Sequence, residues 1–351
     1  MTRYDFVRKY PANKLNSDTT AIIAFHDDND GAAAARIALK HLTECGYNDR
    51  NIWPMAINSI KNAAKNIAGA VSCCENLKKV IIVDVSMQSV DDFVILNDIA
   101  SLPHVSLDYI DHHLSSERSI NQYRLHNSCD MYLHKYISTE HSATYLAWDM
   151  YFSDKPMPKV YRLVDDHDLY KNEVEGSLEF FKGSLKLNLG KIKSPCSWDF
   201  LENDVDYIMK IVEDGKSIVW YEDCILYPHV MRNARHFMLT IRSSKTGKGC
   251  CFGKCVIVNT NVGNYELFGK ETEYDFAIKE YINNKGDWVY TIYSNTYDTS
   301  IIAEYFNGGG HAGISGFTVD WQVFKIHEGQ ANITIDSDRF GELFMESPIK
   351  F

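Results

Sequence analysis

This 351-residue chain lacks long apolar runs and zinc-type cysteine pairs. No stretch approaches the roughly 18 apolar residues that a membrane-spanning helix needs, so we predict no transmembrane segment. None of the nine cysteines forms a Cys-x-x-Cys pair, which removes the usual sequence sign of a zinc site. The first 20 residues lack the apolar core of a signal peptide. We therefore expect a cytoplasmic protein with reduced thiols.

Positive charge is also scarce. The chain has 36 Lys and Arg residues against 47 Asp and Glu residues, which gives a formal net charge of -11. This balance disfavours sequence-independent binding to long duplex DNA, because such binding needs many basic side chains that contact phosphates. It is compatible with a small anionic substrate, since bound metal ions can supply local positive charge. The length predicts two domains.

The chain does contain five short clusters of acidic, histidine or glycine residues, in a fixed order. Carboxylates and imidazoles are metal ligands, and a pair of divalent ions about 3.5–4 Å apart suits displacement at phosphorus. The clusters therefore predict a metal-dependent phosphoesterase. They are Phe25-His26-Asp27-Asp28-Asn29-Asp30-Gly31, Val80-Ile81-Ile82-Val83-Asp84, Tyr109-Ile110-Asp111-His112-His113, Leu163-Val164-Asp165-Asp166-His167-Asp168 and Gly308-Gly309-Gly310-His311.

Apolar runs of strand length end at the first three clusters. The runs are Ala21–Phe25, Val80–Val85 and Val105–Ile110, and an Ala-rich helical pattern over Gly31–Leu42 follows the first of them. Further helical patterns cover residues 142–151 and 159–164. Alternating strands and helices predict an α/β fold with a parallel, doubly wound sheet. Ligands bind such sheets at the carboxyl ends of the strands, where these clusters lie.

The second half of the chain has a different pattern of predicted helices and strands. Apolar spacing predicts a long helix over Asp204–Tyr221, which we interpret as a connector between domains. We predict a catalytic domain at 1–190, a helical connector at 191–234 and a smaller α+β substrate domain at 235–351. The last domain is expected to contain four strands and a helix, at Phe237–Ile241, Gly253–Val258, Tyr274–Ile282, Trp288–Tyr293 and Ser300–Tyr305.

In the first cluster, the spacing His-x-Asp-x-Asp can direct three ligands into one small volume. These are His26, Asp28 and Asp30. The alternative is an Asp-rich turn that only caps the following helix. Between the ligands, Asp27 and Asn29 are better placed to cap than to coordinate.

The second and third clusters follow buried strands. A carboxylate at the position of Asp84 is costly to bury unless it is paired or bound to metal. Beyond Asp111, the two adjacent imidazoles can divide their roles, one binding metal and the other facing a substrate phosphate. Asp111 could orient an imidazole by accepting its ring proton. The alternative is a surface pair, in which His112 and His113 have no shared role.

The last two clusters have a local physical reason to bind ions. Asp165, Asp166 and Asp168 crowd three carboxylates into four residues, and a cation would relieve their repulsion. The residues alone do not decide which carboxylate is the ligand, and a solvated loop is the alternative. The glycines of Gly308–Gly310 allow backbone amides to approach an anion, and His311 can add a hydrogen bond. A flexible loop is the alternative there.

Taken in order, the five motifs resemble the DHH/DHHA1 phosphoesterase superfamily over residues 20–320. The contexts Asp84-Val85-Ser86 and Asp166-His167-Asp168-Leu169-Tyr170 are most similar to its NrnB-type oligoribonucleases, the nanoRNases. The resemblance implies a DHH catalytic domain that faces a smaller DHHA1 domain across a cleft. It also implies two Mn²⁺ ions, with Mg²⁺ as an alternative.

The resemblance further implies a role for each motif residue. The Asp111-His112-His113 motif would provide catalytic groups at Asp111 and His113, with His113 on the substrate phosphate. The Gly308, Gly309, Gly310 and His311 loop would bind the terminal nucleotide phosphate. Asp84 would bridge the ions, and Asp168 is a second choice for the fourth-motif ligand. One ion would be held by His26, Asp28 and Asp84, and the other by Asp30, Asp84, His112 and Asp166.

The leading hypothesis is an exonuclease-like phosphodiesterase that converts short RNA or DNA oligonucleotides to nucleoside monophosphates. The runner-up acts on cyclic or linear dinucleotides, or on adenosine 3′,5′-bisphosphate. A RecJ-like exonuclease for long single strands is disfavoured by the acidic charge. A non-catalytic nucleotide sensor is disfavoured by the complete set of metal ligands. A homodimer is compatible with the sequence.

Overall fold

The computed structural model describes residues 18–126, 132–186, 198–269 and 273–343. The chain divides between Lys216 and Ser217 into two compact units. The division falls inside the long helix, and the domain boundaries near residues 190 and 234 stay a prediction. In the described ranges, no helix combines the length and the apolar character needed to cross a membrane.

The first unit is built on a five-stranded sheet in which all paired strands are parallel. The strand order is β2-β1-β3-β4-β5. From β1 the chain adds β2 on one side and then β3, β4 and β5 on the other side. Doubly wound sheets bind ligands in the crevice beside such a change in the order of the strands. The strands are β1 Ala21–His26, β2 Ile52–Ile57, β3 Lys79–Val83, β4 Ser106–Asp111 and β5 His134–Ile137.

Helices cover both faces of this sheet. On β1, Ala21, Ile23 and Phe25 belong to one apolar cluster, whereas Ile22 and Ala24 belong to the other. This alternation follows from the period of two along a strand. The helices are α1 Asn29–Glu44, α2 Ala63–Ser72, α3 Val90–Ala100, α4 Leu114–His126, α5 Ala143–Phe152, α6 Lys159–Asp168, α7 Ser177–Lys186, α8 Asp199–Asn203 and α9 Val205–Tyr221.

The second unit contains a seven-stranded mixed sheet with the order β10-β11-β9-β8-β7-β6-β12. A π-helical segment, Glu222–Leu226, continues α9 into α10, Tyr227–Met231, and α11 is Ser300–Tyr305. The predicted fold class, a parallel α/β unit followed by a smaller α+β unit, is confirmed. The strands are β6 Arg235–Ser243, β7 Gly249–Asn259, β8 Phe276–Ile282, β9 Trp288–Tyr293, β10 Gly309–Gly310, β11 Ile314–Val319 and β12 Gln330–Ile335.

The residues after about 320 had no predicted role. The structure gives them one, because β12 pairs in parallel with β6 and forms an edge of the second sheet. Ala331, Ile333 and Ile335 alternate toward the core of this unit. The last described strand is therefore part of the hydrophobic core.

Candidate metal centre

The first motif forms the turn between β1 and α1. His26 is the last residue of β1, and α1 begins three residues later at Asn29. Gly31 makes this tight turn possible, because a Cβ atom there would lie 2.2 Å from the carbonyl oxygen of His26. The helix can therefore start directly over the strand end, which keeps the three predicted ligands of the turn together.

Asp28 uses its two carboxylate oxygens for different purposes. Oδ1 accepts a hydrogen bond of 2.9 Å from the Gly31 N–H and caps α1, while Oδ2 accepts one of 2.6 Å from His26 Nδ1. The expectation that Asp27 or Asn29 would cap the helix is wrong. The cap is the residue immediately before the first helical residue, and the helix begins at Asn29.

Asp84 lies at the centre of the site. It follows β3 in a left-handed conformation with φ 56°, and it is 2% exposed. Its Oδ2 lies 3.7 Å from His26 Nδ1, and its Oδ1 lies 3.2 Å from His112 Nε2 and 3.9 Å from His113 Nδ1. One carboxylate therefore reaches the side chains of the first motif and of the third motif at the same time.

The carboxylate of Asp30 contacts the start of helix α5. Its oxygens accept hydrogen bonds from the backbone N–H groups of Ala143 (2.8 Å) and Thr144 (2.9 Å). These amides belong to the first turn of α5, where unpaired N–H groups and the helix dipole favour a carboxylate. Burial and the charge of Asp28 nevertheless raise the pKa of Asp30 to about 6, against the hydrogen bonds from Thr144.

Three carboxylates surround one nitrogen of the buried His112. Its Nε2 lies 3.2 Å from Asp84 Oδ1, 3.5 Å from Asp168 Oδ2 and 3.8 Å from Asp30 Oδ2. Adjacent ligands of one octahedral ion at about 2.1 Å lie roughly 3.0 Å apart, so these separations are close to those of a bound ion. Asp30, His112 and Asp168 thus form one candidate ligand group, and His26, Asp28 and Asp84 form another.

The fourth motif lies at the end of helix α6, and the structure places Asp168 rather than Asp166 in the ligand group. Asp166 accepts hydrogen bonds from the Ser177 hydroxyl (2.5 Å) and the Glu173 N–H (3.0 Å), which tie it to the loop before α7. Residues two apart on a helix point about 200° away from each other, so only one of the two can face His112. Asp168 is therefore the fourth-motif carboxylate that lies nearest His112, and the choice of Asp166 as a metal ligand stays a prediction.

The residues of this site fit a divalent metal. Burial raises the pKa of Asp84 and of Asp168 well above the ordinary value, and neighbouring carboxylates, among them Asp28 and Asp30, raise both further. Within the described part of the chain, Oδ2 of Asp84 and Oδ2 of Asp168 are buried without a hydrogen-bond partner. A bound cation would satisfy both oxygens and neutralise the repulsion.

Asp111 and His113 form a separate pair. Asp111 Oδ1 lies 2.8 Å from His113 Nδ1, and Asp111 is fully buried. Burial opposes a charge on His113 as the largest single influence, but the charge and hydrogen bond of Asp111 outweigh it and raise the pKa of His113. The side chain of His113 is partly exposed, so it can reach a bound molecule while Asp111 holds it.

The glycine motif forms a tight antiparallel hairpin in the second unit. Gly309 and Gly310 pair with Gly316 and Ser315 of β11, and the turn closes with a hydrogen bond from the His311 N–H to Ile314 O. At Gly310, φ is 139° and a Cβ atom would lie 2.5 Å from Ile314 O. The hairpin backbone therefore requires glycine there, apart from any ligand.

The chain matches no family model. Among curated proteins, the uncharacterized protein R106 of Acanthamoeba polyphaga mimivirus is 24% identical over 189 residues. The aligned region covers 52% of this chain and 42% of that relative, so it spans less than half of the relative's length.

Two solved structures can be compared with this chain. The pGpG-specific phosphodiesterase PggH of Vibrio cholerae has a TM-score of 0.44 at 12% identity, over 86% of this chain and 93% of PggH. RecJ of Thermus thermophilus, in complex with Mn²⁺, has a TM-score of 0.46 at 10% identity, over 95% of this chain and 55% of RecJ. At this similarity neither structure assigns a substrate or a residue role to this chain.

The family resemblance depends instead on the five motifs and on their places in the fold. Three of them end parallel strands or follow them directly, as predicted, and the glycine motif lies in the second, smaller unit. The chain resembles the DHH/DHHA1 superfamily in these motifs. Its assignment to the NrnB-type branch stays a prediction.

One part of this site was missing from the sequence prediction. The first turn of α5 holds Asp30 through two amides, and the Ser142 N–H donates to Asp165 Oδ1 at 2.7 Å. Ser142 also caps α5. A Ser before a helical pattern signals such a helix start. No local signal says that this helix start contacts carboxylates more than 20 and 110 residues away in the sequence.

Proposed function

We propose that this chain is a metal-dependent phosphodiesterase that hydrolyses short oligonucleotides to nucleoside monophosphates by a two-metal mechanism. The observation that supports it most is the position of Asp84. Its two oxygens are directed at different ligand groups, with Oδ2 near His26 and Oδ1 near His112. A carboxylate in this position is suited to bridge two ions, which is what displacement at phosphorus requires of a shared ligand.

Each of the two ligand groups combines one imidazole with two carboxylates. We propose Mn²⁺ as the resident metal, because such mixed sets suit it better than they suit Mg²⁺. Two bound divalent ions would supply Lewis acidity at the phosphoryl group and a more acidic attacking water. The first ion is assigned to His26, Asp28 and Asp84, and the second to Asp30, Asp84, His112 and Asp168.

The neighbouring pair of Asp111 and His113 would act on the substrate. A carboxylate can only accept, so His113 Nδ1 carries the proton that Asp111 receives as a hydrogen bond. Asp111 raises the pKa of His113, and a protonated His113 carries a second proton on Nε2. His113 can then donate to a phosphoryl oxygen and stabilise the charge that develops there.

The choice between Asp166 and Asp168 can be tested with a matched pair of variants. We expect Asp168→Asn to lower Mn²⁺ affinity at least about tenfold, since it removes an anionic group whose Oδ2 has no other described partner. Asp166→Asn should mainly lower the melting temperature, because Asp166 binds Ser177 and Glu173. Calorimetric titration with Mn²⁺ and thermal unfolding of both variants measure the two effects. Loss of metal affinity in Asp166→Asn alone would restore the first assignment.

The proposed activity is tested by a substrate panel with Mn²⁺ and with a chelator. We expect the highest kcat/KM on oligonucleotides of about two to five residues, because the net charge of -11 leaves few side chains for a long polyanion. For the same reason the salt dependence should be shallow. A higher kcat/KM on strands of several tens of nucleotides, with a steep salt slope, would instead favour a RecJ-like activity. Activity confined to cyclic dinucleotides or adenosine bisphosphate would favour the runner-up.

His311 belongs to the same test, because its hairpin is proposed to bind the terminal phosphate. His311→Ala should raise KM more than it lowers kcat, since a contact remote from the reacting phosphorus contributes mainly uniform binding. His327→Ala, at an exposed histidine of the same unit, is the control and should leave both constants unchanged. A fall in kcat with KM unchanged would place His311 in the chemical step.

A further inference from the structure

We propose that Tyr109 is a positioning residue, which holds Asp111 so that Asp111 orients His113. This inference depends on the proposed substrate role of His113 and gives a role to Tyr109, a residue of the third cluster to which the sequence analysis assigned none. Tyr109 lies on β4, two residues before Asp111, so both side chains project from the same face of the sheet. Both are fully buried.

The contacts form a short chain that ends at His113. The Tyr109 hydroxyl lies 2.9 Å from Asp111 Oδ2, and Asp111 Oδ1 lies 2.8 Å from His113 Nδ1. Tyr109 therefore contacts one oxygen of the carboxylate and His113 contacts the other, and Ser116 also forms a hydrogen bond with the Asp111 side chain. A carboxylate bound at only one oxygen can rotate, whereas one bound at both is fixed in plane and direction.

The donors and acceptors around the phenol agree with this direction of bonding. Ser116 Oγ, 2.8 Å from the Tyr109 hydroxyl, already accepts a hydrogen bond from the Met87 N–H, so its own hydrogen can point to the phenol oxygen. Two acceptors then remain for the single hydrogen of the phenol, Val85 O at 3.0 Å and Asp111 Oδ2 at 2.9 Å. The charged carboxylate is the stronger acceptor, so the phenol donates to Asp111. Burial, followed by the charge of Asp111, raises the pKa of Tyr109 well above the ordinary value, which keeps it a donor at neutral pH.

The effect of the Tyr109 hydroxyl can be measured separately from the packing of the ring. The ring of Tyr109 packs edge-to-face on Phe93 at 5.6 Å, and phenylalanine would fill the same space. Tyr109→Phe therefore keeps the packing and removes one donor from a buried carboxylate. The nearly unchanged volume makes a specific effect on His113 distinguishable from general damage to the core.

The kinetic experiment is a double-mutant cycle. We expect Tyr109→Phe to lower kcat about tenfold on a dinucleotide substrate, the lower end of the usual range for groups that orient a site residue, with KM and bound Mn²⁺ unchanged. In a His113→Gln background the same substitution should cause no further loss, because its effect passes through His113. Equal losses in both backgrounds would overturn the proposal.

Tyr151→Phe is the matched control. Its hydroxyl, on helix α5, donates to Asp108 Oδ2 at 2.7 Å. Asp108 lies on the same strand as Asp111, so this is a second tyrosine–aspartate pair at β4. Both variants lose a hydroxyl bonded to a buried aspartate. Only Tyr109→Phe should lower kcat. A similar fall in both variants would show that the effect is one of stability.

A spectroscopic experiment tests the positioning without any activity. In metal-free protein, proton NMR should show a low-field signal for the His113 Nδ1–H bonded to Asp111, assigned by its absence in His113→Gln. Tyr109→Phe should broaden or shift this signal, and Tyr151→Phe should not. An unchanged signal in Tyr109→Phe would overturn the positioning role even if the enzyme is active. A changed signal in a protein inactive on every substrate would retain Tyr109 and overturn the proposed function.

Discussion

Replacing Asp84 with asparagine is expected to lower kcat about 10³-fold, which corresponds to about 4 kcal/mol of transition-state stabilisation. Asparagine has nearly the same volume as aspartate but offers one neutral oxygen in place of two anionic ones. Because the Asp84 oxygens are directed at both ligand groups, the substitution weakens the site on both sides. Steady-state kinetics on a dinucleotide at saturating Mn²⁺ measures the loss.

Asp108→Asn is the matched control for this result. Asp108 is also 2% exposed and also lies in the sheet of the first unit, but it pairs with Lys79 and Tyr151 instead of the metal ligands. We expect it to lower the melting temperature and leave kcat of the folded fraction unchanged. If Asp84→Asn keeps more than about a tenth of the wild-type kcat, the shared-ligand assignment is wrong.

The two adjacent histidines should respond in opposite ways to substitution. His112→Ala should lose bound metal, because His112 Nε2 lies within 4 Å of three carboxylate oxygens of the ligand groups. His113→Ala should keep metal content near normal and lower kcat about 10²-fold, as expected when one donor to a developing charge is removed. Metal analysis of the purified variants, together with kinetics, separates the two roles.

An exposed histidine of the same unit provides the control here. The side chain of His134 is 74% exposed at the first residue of β5, so His134→Ala should change neither metal content nor kcat. Equal loss of metal in His112→Ala and His113→Ala would contradict the division of roles. It would also make His113 a metal ligand in place of a substrate contact.

Strongly patterned elements of the fold could be predicted from the sequence. The helix predicted at Ser300–Tyr305 and the strand predicted at Trp288–Tyr293 occur with those bounds, and the helix predicted over Gly31–Leu42 extends from Asn29 to Glu44. Apolar runs and Ala-rich segments carry their own signal, because burial and helix propensity act locally.

Two strands of the first sheet could not be predicted. β2 contains Pro54, which argues against a central strand and is tolerated here because β2 is an edge strand. β5 is the other edge, and its four residues, His134–Ile137, include two with polar side chains. Edge strands need less apolar surface than central ones, so both lack the pattern that marks β1 and β3.

For the site, ligands at strand ends were easier to predict than ligands on helices. The ends of β1, β3 and β4 must meet at one edge of a parallel sheet, which brings His26, Asp84 and His112 together by topology alone. The choice between Asp166 and Asp168 depends on the rotation of α6 and on a hydroxyl at Ser177. The local sequence indicates neither the rotation of α6 nor the hydrogen bond between Ser177 and Asp166.

The spread of the ligands along the chain has a consequence for how the protein acquires metal. The groups come from β1, from the ends of β3 and β4 and from the last turn of α6, which together span His26 to Asp168. A nascent chain that lacks α6 has only part of the second ligand group. High-affinity metal capture must therefore follow completion of the first sheet and its helices, and ion uptake would report the last stage of folding in this unit.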